Sequence, residues 1–258
     1  MKYDTLKTEN SQHIGWITFN RPDQLNTFTT PLAREFNQAL AEFEKDPEVR
    51  VVIVNSEGKA FCAGIDVNEL EGKSPLDYYN WVQQMEEMSL RIAEMGTPVI
   101  ASVQDVAVAN GIGVVASADL AVAAEGARFG ATAVNVGLFC MGPAVALSRN
   151  LGRKKALELL LTGEMITTEE AFRIGLINKV VPMEELASET LALAKKIAEK
   201  SPLAVQLGKK SFYRMEDLEY EKAYEMVGNH FALLCSTEDA HEGVNAFFEK
   251  RTPQWKFK

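Results

Sequence analysis

Residues 98–147, PVIASVQDVAVANGIGVVASADLAVAAEGARFGATAVNVGLFCMGPAVAL, decide the fold of this chain. Val99–Val103 and residues 120–123 are short, nearly continuous apolar runs, the pattern of strands buried on both faces. Between them, Asn110-Gly111-Ile112-Gly113 opens a helix of small residues, and Leu138-Phe139-Cys140-Met141-Gly142 leads into a second helix start. Strand, helix and strand in so short a span predict an α/β fold of repeated turns. Short side chains at a helix start also leave backbone N–H groups uncovered, where the helix dipole adds partial positive charge. An oxygen developing negative charge suits such a place.

Gly111-Ile112-Gly113-Val114-Val115-Ala116 also matches the G-x-G-x-x-A pattern of dinucleotide-binding turns. Asp119 and the next strand arrive too soon for a full crossover helix, which argues against that reading. Close packing of the helix on a strand is the other use of such small residues, and spacing alone leaves it open beside the oxyanion role.

Working outward, residues 13–20 alternate as a strand, ended by Arg21-Pro22, and residues 2–8 are expected to pair with them as a hairpin. Leu32, Phe36, Leu40 and Phe43 recur at helical spacing, with Thr30 as the expected N-cap and Pro31 at the first helical position. Val51-Val52-Ile53-Val54 reads as a buried strand. Residues 75–95 read as a helix with Tyr79, Val82, Met85, Met88 and Ile92 on one face. Lys179–Val181 is a further strand, after which the chain is helical almost to its end, a new helix starting at Ser201-Pro202. The expected division is a core of residues 1–200 and a helical region of residues 201–258.

Two motifs together carry a resemblance to a known family. Phe61-Cys62-Ala63-Gly64-Ile65-Asp66 resembles the F-x-A-G-x-D motif of the crotonase (enoyl-CoA hydratase/isomerase) superfamily, and the glycine turn at residues 109–113 resembles its second motif at the usual separation. The likeness continues through Phe129-Gly130, Leu157 to Gly163, Gly175-Leu176-Ile177 and Val180-Val181-Pro182, and ends in Glu242-Gly243 through Glu249-Lys250-Arg251. It implies an α/β spiral of β-β-α turns with a helical C-terminal trimerisation region, the trimers often pairing into hexamers. It further implies an acyl-CoA thioester as substrate, coenzyme A entering as part of that substrate with no separate cofactor.

Residue by residue, the resemblance makes the amides of Ile65 and Asn110 the oxyanion hole. It places the coenzyme A moiety along Lys59, Ala60, Phe61, Ala63 and Gly64, with Gly111, Ala133, Cys140 and Met141 as further substrate-binding residues. Lys59 and Lys250 are candidates for a coenzyme A phosphate, Lys250 across a subunit boundary, or else exposed solvated charges. The two hydratase glutamates align with Gly113 and Ala133, which supply no titratable group, so the chain is similar to a branch of the family that lacks both. The decarboxylase-type histidine is replaced by Ile65, and the dehalogenase nucleophile aligns with Met141. Asp66 and Glu69 remain as acid/base candidates; otherwise Asp66 caps the following turn, and Glu69 and Glu71 form a solvated face. Cys140 reads as a buried thiol far from His13, His230 and His241. The expected activity is water addition or removal, or double-bond movement, on an acyl-CoA; a non-catalytic acyl-CoA-binding protein and a thioester hydrolase or decarboxylase are the alternatives.

Bulk properties narrow the class. A chain of 258 residues buries about three quarters of its unfolded surface and needs no disulfide staples. Three cysteines without a C-x-x-C pair exclude a disulfide framework and a zinc knuckle, and no metal-ligand spacing is present, which suits a reducing cytoplasm. A net charge of −9 gives no overall attraction for nucleic acid or an anionic membrane, and no apolar run reaches spanning length. The polar start, MKYDTLKTENSQ, lacks the apolar stretch of a secretory signal.

Overall fold

The computed structural model describes residues 3–258. In chain order the elements are β1 (Leu6–Ser11), β2 (Ile14–Phe19), α1 (Thr30–Lys45), β3 (Val51–Ser56), α2 (Pro75–Glu94), β4 (Val99–Val103), β5 (Ala107–Val108), α3 (Asn110–Ser117), β6 (Leu120–Ala124) and β7 (Arg128–Gly130). Then come α4 (Met141–Asn150), α5 (Arg153–Thr162), β8 (Met165–Thr167), α6 (Thr168–Arg173), β9 (Lys179–Val181), α7 (Leu186–Ala198), α8 (Pro202–Met215), α9 (Tyr220–Cys235) and α10 (Glu238–Glu249).

One sheet has the order β1-β2-β3-β4-β6-β9, parallel except at β1 and β2, and a second has the order β5-β7-β8. Successive turns place one strand in each sheet, β4 then β5, β6 then β7, which is the α/β spiral of β-β-α turns. The continuous apolar run of β3 follows from burial on both sides. Val52 and Val54 face a core built with Phe19, Phe28, Phe36 and Met85. Val51 and Ile53 face a second layer, shared with Ile100 and Val122, that α7 covers.

Several boundaries differ from the sequence expectation, each for a local reason. The partner of β2 is Leu6–Ser11 rather than residues 2–8, because Gln12 and His13 both take positive φ and form a two-residue turn that sets the register; residue 2 lies outside the described residues. The cap of α1 is Thr29, whose side chain accepts from the Leu32 amide at 3.3 Å, while Thr30 is already helical. On α2, Trp81 joins Met85, Met88 and Ile92 in the core and Tyr79 is exposed. Strands β5, β7 and β8 are two or three residues long, too short to leave a period-2 pattern.

Buried carboxylates tie α8 to the sheet. Asp119 accepts from the Val99 amide at 2.7 Å and from the Tyr213 hydroxyl at 2.9 Å, and pairs with Lys209 at 2.7 Å. Burial pushes the Asp119 carboxyl up and the Lys209 ammonium down, and each holds the other ionised. Glu44 of α1 accepts from the Gly96 and Thr97 amides and from Lys210. By contrast α9 buries none of its residues. Lys209→Ala leaves Asp119 as an uncompensated buried charge, so urea unfolding should show a loss of about 3–5 kcal/mol; a loss below about 1 kcal/mol, the range of exposed pairs, contradicts the role given to this cluster.

Candidate functional site

The site begins with a planarity constraint. In a trans peptide the C=O and the following N–H point in opposite directions. The Gly64 carbonyl accepts from the Phe28 amide at 2.7 Å, so the Ile65 N–H faces away from Phe28. On that other side, Cys62 pairs with Ala107 of β5, its amide donating to Val106 at 3.1 Å and its carbonyl accepting from Val108 at 3.0 Å. There, too, α3 starts.

Asn110 is the first residue of α3. The preceding carbonyl, Ala109, points along the helix and accepts from the Gly113 amide at 3.1 Å, so the Asn110 N–H projects out of the helix start. Ala109 itself holds φ 48 and ψ −112, a conformation that glycine adopts freely and that costs an alanine about 1–3 kcal/mol. Among the described residues, neither the Ile65 nor the Asn110 amide finds a protein acceptor, and the Asn110 carboxamide is unpartnered although only 5% of the residue is exposed.

Close contact brings the two amides together. A Cβ on Gly111 would lie 2.3 Å from the Cys62 carbonyl oxygen, and one on Gly64 would lie 2.9 Å from the Ala109 Cβ. Gly111 is therefore both a packing residue and a site residue, and the two readings of the glycine turn converge. The dinucleotide reading fails, because α3 spans eight residues and leads from β5 of the three-stranded sheet to β6 of the six-stranded one, so no β-α-β crossover within one sheet forms.

The loop before Ile65 is held by Asn26, which the sequence reading missed. Fully buried, it accepts from the Arg21 amide at 2.8 Å and donates to the Glu57 and Ala60 carbonyls, both at 2.8 Å. Its position after Arg21-Pro22 in a turn was the available signal. Ala60 and Phe61 are buried in this loop, Ala63 is half-buried, and Lys59 is exposed with no ion pair among the described residues. Lys250 is exposed at the left-handed C-cap of α10, and its side chain makes no hydrogen bond that would bring it to the loop.

The two acid/base candidates have structural commitments. Asp66 caps the turn that follows it, accepting from the Asn68 amide at 3.2 Å, and lies 3.5 Å from Arg21. Burial pushes its carboxyl up, but Asn68 and Arg21 outweigh that and hold it below the usual range. Glu69 is not on a solvated face: its carboxylate accepts from the Thr30 amide at 2.9 Å, the Thr30 hydroxyl at 2.7 Å and the Trp81 indole N–H at 3.0 Å.

The other wall is the segment after β7. Ala133 lies half-buried in a short 3₁₀ turn and its carbonyl accepts from the Leu138 amide at 3.1 Å. Cys140 precedes α4, buried, and burial pushes its thiol up; Cys62 is likewise pushed up to about 12. Met141 is exposed at the start of α4. Pro143 closes the gap to α3, since a Cβ on Gly113 would lie 3.0 Å from its Cγ and 3.7 Å from the Met88 methyl. The space a longer side chain at position 113 would enter is filled.

The sequence reading also missed Glu86 of α2. Its carboxylate lies over Gly142, where a Cβ would come within 2.5 Å of Oε1. Burial pushes this carboxyl up, the Gly142 amide offsetting it only in part.

The profile of the enoyl-CoA hydratase/isomerase family matches residues 9–258. The chain belongs to that family. Within it, the chain is 38% identical over 249 residues to rat enoyl-CoA hydratase domain-containing protein 3, mitochondrial, covering 96% of this chain and 83% of that protein. Among solved structures, an enoyl-CoA hydratase of Mycobacterium smegmatis superposes with a TM-score of 0.94 at 39% identity, over 98% of this chain and 99% of that one. Human enoyl-CoA hydratase domain-containing protein 3 does so with a TM-score of 0.94 at 36% identity, over 98% and 100%. The family's fold is thus present along the whole described chain.

The contact at Gly111 and the one at Gly113 differ in kind, backbone against one and a proline ring against the other. Gly111→Ala should cost about 1–3 kcal/mol in urea unfolding by overpacking. Gly113→Ala should stay within about 1 kcal/mol of the unmodified protein, because alanine's helix preference offsets a small shift of Pro143. Equal losses contradict the Cys62 contact as the constraint on the helix start.

Proposed function

We propose that the chain is an enzyme acting on an acyl-CoA thioester, whose carbonyl oxygen is held by the Ile65 and Asn110 amides while negative charge develops on it. The observation that carries this reading is the pair of unpartnered N–H groups pressed together by Gly111 and Gly64, with a buried, apolar wall around them. Two such donors stabilise an enolate or tetrahedral oxyanion more than the neutral carbonyl, which is what lowers a barrier.

Coenzyme A is proposed to lie along residues 59–64, its thioester at Ile65. The overall charge opposes an anionic ligand, so affinity rests on backbone contacts and on Lys59, and it should weaken with added salt. Calorimetry with acyl-CoAs tests this directly: Lys59→Glu should bind more weakly with an unchanged unfolding midpoint, and an unmodified protein that binds no CoA thioester contradicts the reading.

With Gly113 and Ala133 at the places the resemblance gives to the hydratase carboxylates, ordinary hydration lacks its acid/base pair, at a cost of about 10²–10⁴ in rate per group. Crotonyl-CoA should therefore be hydrated negligibly. Rapid hydration by the purified protein contradicts this.

We further propose a trimer or hexamer. Phe231, Phe247 and Phe248 are 68%, 78% and 76% exposed, and α9 buries nothing, more apolar surface than a solvated tail leaves open. Light scattering at micromolar concentration should give three or six copies; a monomer contradicts the assignment.

A further inference from the structure

We propose that Glu86 is the catalytic base of this site, taking a proton from the carbon next to the thioester carbonyl. The inference rests on the reading that the Ile65 and Asn110 amides bind that carbonyl. It supplies the proton-transfer group that Gly113 and Ala133 do not.

Contacts connect Glu86 to the amide pair. Its carboxylate lies on Gly142, the next residue is Pro143, and Pro143 packs on Gly113. Gly113 is three residues into α3 from Asn110, a rise of roughly 4.5 Å along the axis. The carboxylate thus lies on the first turn of α4, one residue before the proline that packs on α3, the helix whose start carries the Asn110 amide. A Cβ on Gly142 would fall on the carboxyl group where it now stands and displace it.

Among the described residues, the neighbouring elements give Glu86 no ion pair. Helix α3 carries no charged residue. The one charged residue of α4, Arg149, pairs with Asp217 at 2.6 Å. On α2 itself, Glu87 holds Arg91. Helix α1 packs on another side of α2, where Asn37 reaches the Gln84 carbonyl; its Glu35, Glu42 and Glu44 are bonded to Thr5, Tyr3 and Lys210, and its Arg34 and Lys45 form no ion pair with Glu86. Helix α8 also packs on α2, but its Lys209 pairs with Asp119, its Lys210 with Glu44, and its Arg214 forms no ion pair with Glu86. Asp66 and Glu69 are occupied as described. A half-buried carboxylate with no counter-charge keeps a basicity that a salt-bridged one loses.

The step balances within the site. The Cα–H bond breaks and its proton passes to a Glu86 oxygen. The electron pair left behind forms a Cα=C bond, and the carbonyl π pair moves onto the oxygen held by the two amides. Return of the proton to Cα restores the thioester, whereas return to the far end of an adjacent double bond moves that bond along the chain. No oxidant, reductant or water is consumed.

The test uses the full-length protein with butyryl-CoA, which has nothing to hydrate, in deuterium oxide, with deuterium at Cα read by mass spectrometry and binding read by calorimetry. The unmodified protein should exchange Cα hydrogen, and the rate should rise with pH through a limb above the usual carboxylate range, because the base works ionised. Glu86→Gln should bind equally well and exchange about 10²–10⁴-fold more slowly, with that limb gone. Gly142→Ala, which displaces the carboxyl group and spares the fold, should also slow exchange. If the protein binds butyryl-CoA but does not exchange it, or if Glu86→Gln exchanges at the unmodified rate, Glu86 is not the base. In the second case loss of exchange in Asn110→Pro leaves the amide pair standing, so the two failures are distinguishable. Absence of any thioester binding overturns the underlying reading and Glu86 with it.

Discussion

The contact on which the site depends is between a helix start and a carbonyl: Gly111 against Cys62, too close for any side chain. It fixes the distance between a loop that belongs to the first motif and a helix that belongs to the second. Peptide planarity then decides where the free N–H groups point, because the Gly64 and Ala109 carbonyls are already bonded elsewhere. The strained Ala109 backbone is part of the same arrangement, aiming the Asn110 amide outward from the helix axis. Strain of this kind persists where surrounding structure over-determines it, and β5, β7 and the Cys62 pairing do so here.

The half-buried carboxylates Asp119, Glu44, Glu69, Asp66 and Glu86 fall into two groups. Asp119, Glu44, Glu69 and Asp66 each accept several hydrogen bonds or hold a cation, and each joins segments distant in the chain. Satisfied in that way, they are costly to disturb and poorly suited to exchange protons. The cavity of about 1090 Å³ between α2, α4 and α8 contains such a network, Asp119 with Lys209 and Tyr213, and its charges are mutually satisfied. Glu86 differs: half-buried against Gly142, it forms no ion pair among the described residues. Chemistry follows that difference more than it follows burial.

Much of this was legible before any coordinates. The buried runs at Val51–Val54 and Val99–Val103, and the helix start at Ser201-Pro202, lie where pattern and turn chemistry place them, and the two motifs lie where the family resemblance places them. What stayed hidden has a common cause. The strands β5, β7 and β8 exist only because neighbours pair with them. Glu69 looks like a surface residue until Thr30 and Trp81 are folded against it. Glu86, next to Glu87 on a helix, reads as one more solvated charge, and its meaning comes from a glycine on another helix. Asn26 is informative only once the carbonyls it ties are known. Local pattern specifies elements; the identity of a functional group is set by what tertiary contact leaves unsatisfied.

The central claim is that the Ile65 and Asn110 amides polarise a thioester carbonyl, and vibrational spectroscopy reads that bond directly. A butyryl-CoA carrying ¹³C at the carbonyl, compared bound and free by isotope-edited infrared difference spectroscopy, should show its C=O stretch moved to lower frequency on binding, since two N–H donors weaken the bond. A bound thioester whose carbonyl stretch stays at the frequency found in water, or rises as it does in an apolar pocket, would contradict the account.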